Sequence, residues 1–257
     1  MVKSIDDLIL HLGIIMFTAG LWGTLAGSSL LLGAIIGIYT KIPSKLISFI
    51  MAFGAGVLLS SVAFELMEES YKSGGFDACI IGMTIGTLAF FIGDYFISKK
   101  GGKGRKSSQG TEDTSSANAI LLGALMDGIP ESLAIGISII HGGKVSFAMM
   151  VAVFISNIPE ALSSATGMLK SGHSKKYIVG LWTAVVVVSG ISSMIGYKFL
   201  FESSGNITGG IQSFAAGAIL TMVSSTMLPE AFEETGNVVG LLTSLGFLLS
   251  FILSHLS

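Results

Sequence analysis

Long apolar segments follow one another along the chain, and short polar or glycine-rich stretches separate most of them. A helix needs about 20 mostly apolar residues to cross a bilayer. Eight segments reach this length, at about 8–38, 44–68, 76–98, 118–140, 145–169, 177–200, 207–231 and 236–256. The first is longer than one crossing requires, so only part of it is expected to span. The pattern predicts an all-α integral membrane protein, a bundle of eight transmembrane helices in a single domain over residues 1–257.

The composition supports a membrane environment. Hydrophobic residues make up 51% of the chain and charged residues 12%, whereas soluble domains carry about 25% charged residues. A net charge of −2 without a basic, aromatic-rich run gives no sign of a nucleic-acid partner. The single cysteine, Cys79, excludes an intramolecular disulfide and a cysteine-cluster metal site. The stretch Met1–Asp7 is a poor secretory signal, so we expect it in the mature protein.

One gap between the spans is long and rich in Lys, Gly, Ser and Thr, at about 98–117. We predict a flexible loop there. Most of the 14 basic residues follow spans 1, 3 and 5, namely Lys41, Lys45, Lys99, Lys100, Lys103, Arg105, Lys106, Lys170, Lys175 and Lys176. Loops that are rich in Lys and Arg favour the cytoplasmic side. The sequence therefore predicts a multi-pass protein of the cell membrane with a cytoplasmic long loop and both termini outside.

Two internal repeats are visible. The segment 53–60 (FGAGVLLS) is similar to 214–221 (FAAGAILT), and each precedes an acidic helix end, with Glu65, Glu68 and Glu69 or with Glu230, Glu233 and Glu234. The segments 127–132 and 156–161 share an Ile-Pro-Glu tripeptide. Both pairs fall on spans that run in opposite directions in the predicted topology. Inverted repeats with a site near the membrane midplane are typical of transporters.

The second repeat places acids inside the membrane. A carboxylate at the bilayer centre costs about 2.5–3.5 kcal/mol on insertion scales, so it indicates a functional site. Asp127 lies four residues before Glu131, while Ser156 and Asn157 lie four and three residues before Glu160. Residues at these spacings share one face of a helix. Each helix can therefore direct two or three oxygen groups toward one point.

Pro130 and Pro159 lie next to these acids and should each free a backbone carbonyl four residues earlier and kink the helix. If the kinks face each other, the acids converge and need a cation or protons, because neither span contains Lys or Arg. A divalent metal is the simplest partner, although a proton relay and protonated structural acids stay open. Glu65 and Glu230, near helix ends, are candidate entrance or exit ligands, or simply interfacial acids.

These motifs resemble the ZIP (Zrt/Irt-like) family of divalent metal transporters, and the resemblance covers nearly the whole chain. Pro130 and Glu131 match the fourth-span motif of the family, and Asn157, Pro159 and Glu160 match the fifth. The resemblance implies an eight-helix ZIP fold, a homodimer, and a metal that is transported rather than held as a cofactor.

This chain departs from the family pattern at several ligand positions. Asp127 replaces a histidine, Gly128 an asparagine, and Ser156 a stronger ligand, while Glu65 stands where several members carry histidine. The implied ligands are therefore almost all oxygen, which makes manganese or iron(II) plausible beside zinc, the usual metal of the family.

Two other functions fit parts of the pattern. The chain could be a proton-coupled carrier of another solute, since buried acids also serve as proton relays. It could also be an intramembrane hydrolase with paired acids such as Asp94 and Asp127, although that reading depends on one Gly-Asp dipeptide. Transport, without enzyme activity, is the function that the motifs favour.

Overall fold

A computed structural model describes residues 5–99, 117–142, 146–201 and 203–256. These residues form helices and short connections, with no strand in the described ranges. The helices are α1 (Ile5–Tyr39), α2 (Ser44–Ser61), α3 (Glu68–Ile97), α4 (Ala117–Gly142), α5 (Phe147–Lys170), α6 (Lys175–Leu200), α7 (Gly205–Met222), α8 (Leu228–Thr235) and α9 (Val238–Leu256). The all-α membrane class is confirmed. The predicted loop at about 98–117 lies almost wholly outside the described residues.

Seven helical runs in the described part of the chain are long and apolar enough to cross a membrane, and the run Ser44–Ile97 has 54 residues. A straight helix of that length would measure about 80 Å, far more than the ~30 Å hydrocarbon core. Gly75 interrupts it with a φ of 68° and a ψ of −169°. This left-handed conformation suits glycine, which has no Cβ to clash.

The chain reverses at Gly75. The Ser70 hydroxyl and the Cys79 thiol are 3.2 Å apart, although nine residues of straight helix would separate them by about 13 Å. Ser70 donates to the carbonyl of Gly209, and Ser213 donates to the carbonyl of Ala78. The run therefore supplies two antiparallel segments, as predicted for residues 44–68 and 76–98. The total of eight spans stays a prediction.

The two halves of the bundle pack as an inverted repeat. Gly56 of α2 lies against the backbone of Thr243 in α9, and Gly217 of α7 lies against the backbone of Met83 in α3. Gly56 and Gly217 differ by 161 positions, as do Phe53 and Phe214 at the start of the sequence repeat. Since α3 runs beside α7 in the same direction, α2 runs opposite to α7. The contact of α2 with α9 thus corresponds, under the repeat, to the contact of α7 with α3.

The repeat extends to an irregularity of the backbone. Residues Val62–Met67 form a π-helical segment between α2 and α3, and residues Val223–Met227 form another between α7 and α8. Both begin at the same register of the repeat, 161 positions apart. Such segments are rare and frequently occur at functional sites. Here each one leads into an acidic helix end.

The bundle has two distinguishable ends. At one, which we call the Ser73 end, Gly205 lies against the carbonyl of Ser73. At the other, which we call the Lys175 end, the Lys175 ammonium lies 4.5 Å from the centre of the Tyr39 ring, and Ser44 donates a 3.2 Å hydrogen bond to Glu234. The turns that carry most of the described basic residues belong to the Lys175 end. It is the end that the charge pattern predicts to be cytoplasmic.

Candidate functional site

The five residues predicted from the two Ile-Pro-Glu motifs are all buried. Their side chains are only 1 to 4% exposed, and they are Asp127, Glu131, Ser156, Asn157 and Glu160. Pro130 lies inside α4 and Pro159 inside α5, and both helices continue through the prolines. The polar residues of the two Ile-Pro-Glu motifs therefore lie in the interior of the bundle.

On α4, the two acids share a helix face with apolar residues that follow them. Asp127 and Glu131 are four residues apart, and Ala134 and Ile135 continue the same face one turn later. Ala134 and Ile135 belong to an apolar cluster that also contains residues of α2, α5 and α7. The acidic face of α4 is thus directed into the space between these helices.

The corresponding face of α5 borders the same cluster. Met149, Ala152 and Val153 are members of it, and Ser156 and Glu160 follow Val153 by three and seven residues, which is one and two turns of the helix. On both α4 and α5, the polar residues therefore lie one to two turns along the helix from members of the same apolar cluster.

A second apolar cluster lies beyond the acids. It contains Ile120 and Ala124 of α4 and Ala161 and Ala165 of α5, together with residues of α1 and α6. Along both helices, the polar residues thus stand between one apolar cluster toward the Ser73 end and another toward the Lys175 end. This arrangement forms a buried polar layer with apolar packing before and after it.

The backbone of α5 is held closely at this layer. Gly33 of α1 lies against the carbonyl of Ile158, and Gly54 of α2 lies against the α-carbon of Ser156. The Ser156 hydroxyl donates to the carbonyl of Val153 at 3.1 Å. Small residues on α1 and α2 allow this approach, as in other membrane bundles. This close packing holds α5 against α1 and α2 at the level of Asn157 and Glu160.

No group of three or more His, Cys, Asp and Glu side chains that could hold a metal ion occurs among the described residues. The convergence of Asp127, Glu131 and Glu160 into one ligand set therefore stays a prediction. α4 and α5 do each carry buried oxygen groups at the predicted positions.

Glu65 and Glu230 lie outside this layer, toward opposite ends of the bundle. Glu65 is in the first π segment and accepts a 2.6 Å hydrogen bond from the hydroxyl of Ser146. Glu230 is in the first turn of α8, whose later residue Glu234 contacts Ser44. With an offset of 161 positions, Thr226 is the repeat counterpart of Glu65, and Glu69 is that of Glu230. The repeat therefore does not relate the two candidate ligands, Glu65 and Glu230, to each other.

Ser146 is a polar partner that the sequence interpretation missed. It is the N-cap of α5, because its hydroxyl accepts a hydrogen bond from the backbone N–H of Met149 at 3.1 Å. A serine before an apolar helical run is a recognisable N-cap signal. That signal predicts the cap but not the contact with Glu65, which is 81 positions away.

Comparison with known proteins gives three concordant similarities, although no family model matches the chain. The zinc transporter ZupT of Enterobacter is 25% identical over 82% of this chain and 82% of its own length. A protein of Arabidopsis thaliana provisionally named a zinc transporter is 21% identical over 79% of this chain, and the zinc transporter zipt-7.2 of Caenorhabditis elegans is 26% identical over 41%. The matches span only 33% and 23% of the plant and nematode proteins. These similarities confirm that the chain resembles the ZIP family, as its Pro-Glu motifs indicated.

Proposed function

We propose that this protein transports a divalent metal cation across the cell membrane toward the cytoplasm, with zinc as the first candidate. The observation that carries the proposal is the buried polar layer of α4 and α5, which contains three carboxylates within an apolar bundle. Buried acids are expensive in a membrane, and they mark ion pathways. Three relatives named as zinc transporters favour transport over the hydrolase alternative.

The layer supplies the oxygen ligands that a dehydrated cation needs. In this proposal the carboxylates of Asp127, Glu131 and Glu160 and the side-chain oxygen of Asn157 replace water molecules around the ion, with Ser156 beside them. The backbone carbonyls of Met126 and Ile155, which the prolines leave without their usual helical donors, are further acceptors. A divalent ion offsets the mutual repulsion of the carboxylates.

Transport then requires access to the layer from each end in turn. Along α4 and α5, apolar residues follow the layer on the side toward Glu65 and again on the side toward the Lys175 end, so an ion has to pass apolar packing in both directions. Relative movement of the two inverted halves is the usual way in which such folds alternate access. Glu65 serves the entrance and Glu230 the exit in this scheme.

The oxygen-rich ligand set bears on the choice of metal. Carboxylate and carbonyl ligands suit harder ions such as manganese, while imidazole suits zinc and iron. With Asp127 in place of a histidine, the proposed site suits manganese better than a histidine-containing site would, and zinc and iron(II), which also bind carboxylates, stay candidates beside it. No described side chain of the layer supplies an imidazole or a thiolate.

The test is uptake of Zn²⁺, Mn²⁺ and Fe²⁺ into proteoliposomes that contain the purified protein. Wild type should take up at least one of these ions, and Glu131→Ala and Glu160→Ala should reduce uptake to the level of empty liposomes. Glu233→Ala, at an exposed position of α8, is the matched control for loss of an acid. If wild type takes up no divalent ion, the proposed function is wrong. If both layer variants transport like wild type, the site is wrong.

A further inference from the structure

A short hydrogen bond joins the first π segment to the start of α5. The Ser146 hydroxyl donates to Oε2 of Glu65 at 2.6 Å, and both residues are half-buried. This distance lies at the short end of the range of about 2.5–3.0 Å for hydrogen bonds between a hydroxyl and an oxygen acceptor. The contact therefore fixes the carboxylate of Glu65 against α5.

The proton of Ser146 has little freedom to point elsewhere. A hydroxyl has one proton to donate and two lone pairs, and one lone pair accepts the N–H of Met149 at 3.1 Å. The backbone N–H of Ser146 donates to the hydroxyl of Ser138 in α4 at 3.2 Å, and that hydroxyl donates to the carbonyl of Ile135. Ser146 is thus tied to both α4 and α5 while it holds Glu65.

The repeat lacks this arrangement at the opposite end of the bundle. Thr226 takes the place of Glu65, and its hydroxyl donates to the carbonyl of Met222 in its own helix. Pairing Glu131 with Glu160 makes Ala117 the sequence counterpart of Ser146, and alanine has no hydroxyl. The pair of Ser146 and Glu65 therefore has no counterpart at the repeat-related positions 117 and 226, and the serine–carboxylate contact at the Lys175 end joins a different pair, Ser44 and Glu234.

The pair also lies well before the buried layer. Ser146 precedes Asn157 and Glu160 by 11 and 14 residues along α5, which is about 17–21 Å of helix. The N-terminus of α5 carries a partial positive charge that stabilises the carboxylate of Glu65. A carboxylate has about four lone-pair positions, so one hydrogen bond from Ser146 leaves it able to bind a cation.

We propose that Ser146 is a positioning residue for metal uptake, whose hydroxyl orients the Glu65 carboxylate toward the incoming divalent cation. The inference rests on the proposed function, in which Glu65 is the entrance ligand. Ser146 itself does not bind the metal. Its loss should weaken the capture of the ion at the entrance and leave the later steps through the buried layer unchanged.

Three substitutions separate this role from helix capping. Ser146→Thr keeps both the cap and the donated proton, Ser146→Asp keeps a capping oxygen but repels Glu65, and Ser146→Ala removes both. In Zn²⁺ uptake by proteoliposomes, the Asp and Ala variants should raise KM about three- to tenfold, which is the usual net effect of losing one hydrogen bond, with Vmax within twofold of wild type. The Thr variant should restore the wild-type KM.

Two controls test whether the change in KM is specific to the contact between Ser146 and Glu65. Ser174→Ala removes the matched N-cap of α6, where Ser174 accepts from the N–H of Tyr177, and it should leave KM unchanged. In a Glu65→Ala background, Ser146→Asp should have no further effect on KM. If Ser146→Asp behaves like wild type while Ser146→Ala does not, Ser146 is only a helix cap and the inference is wrong. It is equally wrong if neither changes KM.

The same preparations separate this inference from the proposed function. Wild type and Glu131→Ala are measured beside the Ser146 variants. Absence of divalent-metal uptake by wild type would overturn the proposed function. Wild-type uptake that Glu131→Ala abolishes, but that Ser146→Asp leaves with its KM unchanged, would overturn the positioning role alone.

Discussion

Gly56 lies so close to the backbone carbonyl of Thr243 that no side chain fits between α2 and α9 at this level. Its repeat counterpart, Gly217, lies in the same way against the carbonyl of Met83 in α3. Both contacts bring backbone against backbone, so the neighbouring atoms cannot move aside as a flexible side chain would. The two contacts join the two halves of the bundle at equivalent positions of the repeat.

We therefore expect Gly217→Ala to destabilise the protein by about 1–3 kcal/mol, the usual cost of overpacking a core. The matched control is Gly210→Ala in the same helix, where an added Cβ meets no atom within 4 Å. That substitution should be neutral or stabilising by up to about 1 kcal/mol, since alanine favours a helix more than glycine does. Thermal unfolding of the purified protein in detergent measures both. Equal melting temperatures for the two variants would contradict the close packing.

The orientation of the bundle is tested by labelling single cysteines on intact cells. Cys79 is first replaced by serine, and Ser73→Cys, Ser203→Cys and Ser171→Cys are made in that background. Because Ser73 and Gly205 meet at one end, a membrane-impermeant thiol reagent should label the cysteines at 73 and 203 from outside. The cysteine at 171, after α5, should react only once the membrane is permeabilised. The reverse pattern would place the termini in the cytoplasm.

Much of the fold follows from the sequence because membrane spans have a simple physical requirement. The apolar lengths predicted α4, α5 and α6 to within a few residues, and the repeat beginning at Phe53 and Phe214 has a structural counterpart. The reversal at Gly75 falls in the gap between the predicted spans 44–68 and 76–98, yet helix continues almost to Gly75 from both sides. The π segments were not predicted, because their change of hydrogen bonding leaves the apolar composition unchanged.

The candidate site was predictable only in part. Burial of Asp127, Glu131 and Glu160 follows from the cost of placing acids against lipid, and their helix faces follow from the spacing. The partner of Glu65 did not follow, because Ser146 is distant in sequence and has an ordinary role as a helix cap. Contacts between distant residues depend on how helices pack, which local patterns do not specify.

Asp127 should influence which metal is transported. Asp127→His introduces an imidazole where the chain now supplies a carboxylate, and imidazole favours zinc over manganese. We expect the ratio of Zn²⁺ to Mn²⁺ uptake in a competition assay to rise about tenfold, which corresponds to about 1.4 kcal/mol. Asp127→Asn, which keeps the size of the side chain but removes its charge, should reduce uptake of both ions. An unchanged ratio in the histidine variant would remove Asp127 from the ligand set.

Glu230 should act at the exit. It is half-buried in the first turn of α8, close to the end of the bundle where Ser44 contacts Glu234. Glu230→Gln removes a charge that receives the cation after it leaves the buried layer, so release should slow. We expect Vmax for Zn²⁺ uptake to fall about three- to tenfold, equivalent to about 0.7–1.4 kcal/mol, with little change in KM. Glu233→Gln, one turn later and exposed, should transport like wild type. A rise in KM without loss of Vmax in Glu230→Gln would instead indicate that Glu230 takes part in capture, and the proposed direction of transport through the bundle would then be wrong.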